Sequence, residues 1–171
     1  MGEIGILTED DRVELIEGEI IHMSPIGSKH MAVVNFMTRI FSKFSIRDDH
    51  FLSVQNPVRM DSQSEPEPDL ALLHFRKDYL EEKATAADVL LIVEVADTTL
   101  AFDRDRKIPL YAKAGIPESW LVDLNEHRIT VFTQPSPQGY RMERHYLSGE
   151  TIELGTLPGI SVKVSEVFGQ F

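Results

Sequence analysis

The sequence predicts an α/β chain of the mixed α+β kind: a central mixed β-sheet flanked by helices, with β-hairpin additions. Three observations carry that prediction. Residues 89–96, VLLIVEVA, are an almost unbroken apolar run, which reads as a strand covered on both faces. Residues 29–47 place Val33, Phe36, Met37, Ile40, Phe41 and Phe44 at helical spacing, the pattern of an amphipathic helix. Elsewhere, short strand-like runs alternate with turn signals and one further helix, which excludes an all-helical or all-β class. At 171 residues, with 42% apolar and 26% charged residues, the chain suits a single domain over 1–171.

Taken in order, Thr8 followed by Glu9, Asp10 and Asp11 reads as the cap and first turn of a short helix. VELIEGEIIHM then reads as two short strands turning at Glu17-Gly18, with Gly18 supplying the permissive backbone. Ser28 can cap the amphipathic helix. Residues 51–60 read as strand pieces broken near Pro57, and DSQSEPEP, 61–68, as a polar loop. DLALLHF, 69–75, is a strand, and 77–88 hold one or two helical turns. A helix within 103–114 ends at Gly115 and is limited by Pro109, which either follows its start closely or bends it. SWLVD and RITVFT around LNEH form a hairpin pattern; GYRMERHYL and ISVKV complete a strand-rich second half.

Composition excludes several classes. There is no cysteine, hence no disulfide, thiol nucleophile or cysteine-held zinc. The six histidines (His22, His30, His50, His74, His127 and His145) form no paired zinc motif, and His30, near a helix start, reads as a local structural residue. No phosphate-binding glycine loop and no G-x-S-x-G elbow is present. The acidic N-terminus lacks signal-peptide features, and no apolar run is long enough to span a membrane, so the expected setting is cytoplasmic. A net charge of −11 opposes non-specific attraction to nucleic acid, so such a partner would need a local basic patch or a bound cation.

Three positions contrast with their surroundings. Asp69 follows Pro68 and opens an apolar strand. Glu94 interrupts the apolar run. Lys107 falls inside the apolar arc of a helical wheel that includes Leu100, Ile108, Leu110, Tyr111, Ala112 and Ala114, where an ammonium must either reach outward or meet an anion. Each has an ordinary structural explanation alone: an edge or ion-paired glutamate, a Pro-Asp turn, a snorkelling lysine. Their order is what suggests chemistry. Two carboxylates about 4 Å apart repel by about 4 kcal/mol at an effective dielectric near 20, a cost that a divalent cation and an ammonium would reverse. Oxygen ligands without a histidine or cysteine cluster suit Mg²⁺ or Mn²⁺.

The stretches EPEPDLALL and DVLLIVEVADTTLAFDRDRKIPLYAKAGIPESWLVDLNEHRITVF, with VELIEGEIIHMSP before them, resemble the Uma-two family of restriction-endonuclease-like proteins over roughly residues 8–135. That resemblance implies the PD-(D/E)XK nuclease fold and hydrolysis of phosphodiester bonds, with DNA as the expected substrate. Pro68-Asp69 then matches the PD element and Glu94 the acidic element. The usual lysine position, two residues after that acid, holds Ala96; Lys107 on the following helix is the matching candidate. Asp69 and Glu94 would bind metal, with the Val95 carbonyl as a further ligand, and Lys107 would position the attacking water. The superfamily often adds an N-terminal acid, for which Glu14 and Glu17 are candidates. Val13, Leu15 and Glu17 share one strand face, which favours Glu17.

Weaker candidates complete the expectation. Gln55 could touch a phosphate but reads more simply as a strand residue. Asp103, one turn before Lys107, reads as its ion-pair partner, Asp97 to Thr99 as caps of the strand-to-helix connection, and Glu118 and Asp123 as structural. The stripe Arg39, Lys43 and Arg47 reads as a solvated helix face. A homodimer is expected because cutting two strands calls for two sites. The competing function, favoured by the charge of −11, is a binding or assembly module that retains the fold with little or no catalysis.

Overall fold

The structure is a computed structural model, and it describes residues 12–45 and 50–170. The expected short helix after Thr8, and Arg47 of the basic stripe, lie outside those residues.

A six-stranded sheet forms the centre. Its strands are β3 (His50–Val54), β4 (Leu70–His74), β5 (Val89–Ala96), β6 (Glu118–Asp123), β7 (Arg128–Ser136) and β8 (Gly139–Tyr146), in the spatial order 3-4-5-6-7-8. Every neighbouring pair is antiparallel except β5 and β6. A parallel pair needs a crossover, and here the helical stretch between β5 and β6 supplies it. That stretch is α2 (Leu100–Phe102), a π turn (Asp103–Lys107) and α3 (Ile108–Lys113). The sequence restricts a helix to 103–114 with Pro109 as its limit. In the structure helical backbone starts slightly earlier and widens just before the proline, where the Ile108 N–H bonds the Asp103 carbonyl five residues back. Pro109 has no N–H for the preceding turn, and a π turn takes up the resulting mismatch.

Strand alternation divides the core in two. On one face, Leu91, Val93 and Val95 of β5 pack with Leu70 and Leu72 of β4 under α1 (Ser28–Ser45), which contributes Val33, Val34, Met37, Ile40 and Phe41. A small hairpin, β9 (Thr151–Glu153) with β10 (Ser161–Lys163), and the short α4 (Val164–Val167) close this layer. On the other face, Ala71, Leu73, Ile92 and Ala96 pack with Ile108 and Tyr111 of α3. One irregularity interrupts the alternation: Leu72 pairs with Leu91 but Leu73 with Val89, so Leu90 is the extra residue of a bulge.

The N-terminal hairpin forms as read: β1 (Val13–Ile16) pairs with β2 (Glu19–His22), and Glu17 and Gly18 hold φ of +51° and +82° in the turn. Segment 77–88 is turn-like, with a 3₁₀ turn at Ala86–Asp88 closed by reciprocal Thr85–Asp88 hydrogen bonds. Among the described residues no helix is long and apolar enough to cross a membrane.

Candidate active site

β4 and β5 bring the two predicted acids together. Leu70 pairs with Val93 in the antiparallel ladder, so Asp69, one step before Leu70, stands across from Glu94. Period-two alternation puts Asp69 on the side of Ala71 and Leu73, and Glu94 between Ile92 and Ala96, which is the face covered by the crossover helices. Both carboxylates are buried, at 9% and 3% exposure. Like charges opposite each other on adjacent strands are unfavourable unless something compensates.

Lys107 is that compensation. Its ammonium is buried and lies 2.8 Å from Glu94 Oε1 and 3.1 Å from Glu14 Oε2. The π turn keeps Asp103 and Lys107 inward while Arg104 and Asp105 face solvent. One helical turn on, Tyr111 is fully buried and its hydroxyl donates to the same Glu94 Oε1 through a very short contact. No hydrogen bond among the described residues reaches Glu94 Oε2, and Glu94 borders a cleft of about 550 Å³.

Glu17 is the correction. The sequence favours Glu17 as the inward acid of the N-terminal hairpin; the structure places it in the exposed turn, paired with Lys113 at 3.3 Å and Arg106 at 3.6 Å. The buried acid is Glu14, which shares a face with Ile16. Period two was the right rule, but the docking partner decides which face turns inward. β1 lies along the 61–68 loop through reciprocal Leu15–Glu65 backbone bonds, and the Glu17 N–H bonds Ser64 Oγ. That contact turns Glu14 toward Lys107, and the Glu67 N–H also donates to it.

Asp69 is held at both oxygens. Oδ2 accepts from the Val95 N–H at 2.8 Å and contacts His30 Nε2 at 3.0 Å; Oδ1 accepts from Gln55 Nε2 at 3.3 Å. His30, from the first turn of α1, is therefore part of this site rather than a purely local residue. Its Nδ1 is buried with no hydrogen-bond partner among the described residues. Gln55 sits just after β3 with φ of +50°, which aims its amide at Asp69 instead of along the strand. Asp103 also differs from its expected role: its Oδ2 accepts from Thr99 Oγ1 at 2.6 Å, and Lys107 pairs with Glu94 and Glu14 instead.

Four buried carboxylates, Glu14, Asp69, Glu94 and Asp103, thus face one buried ammonium and His30. The imbalance appears in their protonation. Burial, opposed by Lys107 and reinforced by Asp103, Asp69 and Glu14, raises the Glu94 pKa well above its ordinary value. Burial raises Asp103 as well. Burial works against the Lys107 charge, yet Glu94, Glu14 and Asp103 outweigh it, and its pKa rises. For His30 burial acts downward, but the hydrogen bond and charge of Asp69 leave a net rise. Tyr111 is driven up by burial and by the adjacent Glu94 charge.

A divalent cation suits this donor chemistry. The cleft presents hard carboxylate oxygens in excess over positive charge, and the Val95 backbone borders it. Among the described residues no three acids or histidines are spaced to cage an ion unaided. Mg²⁺ characteristically keeps several waters and takes only one or two carboxylates, so a two-carboxylate site remains a fit.

The predicted residues Asp69, Glu94, Val95 and Lys107 therefore border one cleft, and Glu17 does not. Glu14 and His30 border it too, and Tyr111 supports it from behind through Glu94, none of them having been singled out as a leading candidate. For Glu14 the sequence signal was its place on the other face of the same strand; for Tyr111 it was the i+4 spacing from Lys107.

Comparison with known proteins adds two findings. The family profile described as "Uma2: Putative restriction endonuclease" matches residues 3–165. Among solved structures, a "putative nuclease belonging to DUF820" from Anabaena variabilis superposes with a TM-score of 0.78 at 14% identity, over 98% of this chain and 96% of that one. The central mixed sheet with its flanking helices is thus a restriction-endonuclease-like fold. No curated protein matches the sequence.

Proposed function

Because the chain belongs to the Uma2 family of restriction-endonuclease relatives, we propose that its cleft is the active site of a divalent-cation-dependent endonuclease that hydrolyses phosphodiester bonds in DNA. The observation that carries this reading is the convergence of Asp69, Glu94 and Lys107, with Glu14, at one concave and acid-rich place. Family membership supports a nuclease in general. Two copies of this one domain would supply the two sites that two-strand cutting needs.

Asp69 and Glu94 would hold Mg²⁺ or Mn²⁺, with the Val95 carbonyl as a further oxygen donor. When bound, the cation would supply charge neutralisation at the phosphate and acidify a nearby water. The chain's own contribution is positional. The Val95 N–H, His30 and Gln55 fix the Asp69 carboxylate from three directions, so little reorganisation remains when substrate arrives. Lys107 has three N–H donors and two carboxylate partners, which leaves one donor for the attacking water or a phosphate oxygen.

The competing reading, a non-catalytic binding module, draws on the net charge of −11, which repels a polyanion. Incubation with circular and linear DNA, and with RNA, in Mg²⁺ or Mn²⁺ decides between them. Cation-dependent cleavage by the wild type, lost in Asp69→Ala, Glu94→Ala and Lys107→Ala, is the expected result. Cleavage that persists in all three variants overturns the site assignment; no cleavage together with no cation binding favours the module.

A further inference from the structure

Tyr111 has no place in the chemistry just described, yet it is the fully buried side chain in direct contact with Glu94. A buried phenol needs a hydrogen-bond partner, and among the described residues its O–H reaches none except Glu94 Oε1. A carboxylate has two equivalent oxygens and a soft terminal torsion, so a glutamate left to itself can offer either one. Here the Lys107 ammonium and the Tyr111 hydroxyl converge on the same oxygen from one helix face, four residues apart. Tyr111 itself is fixed by packing in the second core, beside Ile108 and Ile116.

We infer that Tyr111 is a positioning residue of the cation site: with Lys107 it occupies Glu94 Oε1 and so presents Oε2, the oxygen without a hydrogen bond among the described residues, to the cation. The inference rests on the proposed cation-dependent function. It also gives α3 a role beyond covering the sheet. A single helical face supplies both the ammonium and the hydroxyl that set the orientation of an acid on β5.

Tyr140 provides a matched control. Its hydroxyl is also hydrogen-bonded, beside the second core, to the Ile116 carbonyl at 2.8 Å and Ser119 Oγ at 2.7 Å, and neither of these partners borders the cleft, whereas Glu94 does. Mn²⁺ alone is titrated calorimetrically into the wild type, Tyr111→Phe and Tyr140→Phe, and the metal-free unfolding midpoint of each is measured. Loss of a group that orients a metal ligand typically weakens affinity by about 10- to 100-fold. The inference expects that loss in Tyr111→Phe and unchanged affinity in Tyr140→Phe, whatever the two midpoints do. Equal affinity in wild type and Tyr111→Phe overturns it while leaving the nuclease reading intact. Equal weakening in both variants overturns it too, by assigning the effect to core packing. Absence of Mn²⁺ binding by the wild type defeats the cation-dependent function itself, and this inference with it.

Discussion

Two glutamates on neighbouring strands are buried to nearly the same degree: Glu94 on β5 at 3% exposure and Glu118 on β6 at 1%. Burial is the largest influence on both, and it raises the pKa of each. Their surroundings differ completely. Glu118 is satisfied at both oxygens by neutral donors: Trp120 Nε1 at 2.7 Å on one, and the Gly155 and Thr156 N–H groups at 2.9 and 3.3 Å on the other. It staples the loop after β9 to the sheet. Glu94 instead shares one oxygen between an ammonium and a phenol, borders a cleft, and has three further acids around it. Burial and a raised pKa therefore do not separate a structural acid from a candidate catalytic one. What distinguishes Glu94 is its place at a cleft among like charges.

The largest test of that contrast is removal of the central cation. Lys107→Met leaves Glu94 and Glu14 buried without their partner and is expected to cost about 3–5 kcal/mol of metal-free stability in denaturant unfolding. Next, Glu118→Ala strands the Trp120 N–H and two backbone donors and should cost about 3 kcal/mol, while leaving cleavage per folded molecule unchanged. Third, Mn²⁺ at about a hundred times its dissociation constant should stabilise the wild type and Glu118→Gln by about 2.7 kcal/mol, read as a rise in Tm, and should fail to stabilise Glu94→Gln.

The pH dependence is smaller and has a definite sign. A carboxylate whose pKa is raised by folding contributes stability that is fully present below its unfolded value, 4.5 for glutamate, and is lost as pH rises through the folded value. Metal-free stability should therefore fall on going from about pH 4.5 upward, by at most about 1.4 kcal/mol per pH unit for each such group. Glu94→Gln should flatten that slope more than Glu118→Gln, since Glu94 is raised further. At the small end, Glu17→Ala removes only exposed ion pairs, and should change stability by less than about 0.5 kcal/mol with no effect on cleavage.

Much of this site was legible in the sequence because its signals are local. The apolar run around Glu94 announced a two-faced strand, Pro68-Asp69 announced a strand entrance, and the helical wheel placed Lys107 inward. The residues that escaped depend on contacts between distant segments. Glu14 turns inward because of the face by which β1 meets the 61–68 loop, whereas Glu17 lies past the end of β1 in the turn, and strand periodicity cannot choose between faces of a short hairpin. His30 reaches Asp69 across 39 positions, and Gln55 does so because its backbone adopts a positive φ that a glutamine does not advertise. The π turn was likewise hidden: Pro109 signals a disturbance in the helix, but whether it becomes a start, a kink or a wider turn depends on packing.

The most direct test of the central claim is Mn²⁺ binding, by calorimetry, to the wild type, Glu94→Gln and Glu118→Gln. Binding is expected in the wild type and in Glu118→Gln, and its loss in Glu94→Gln. Equal binding in all three proteins, or none in the wild type, would contradict it.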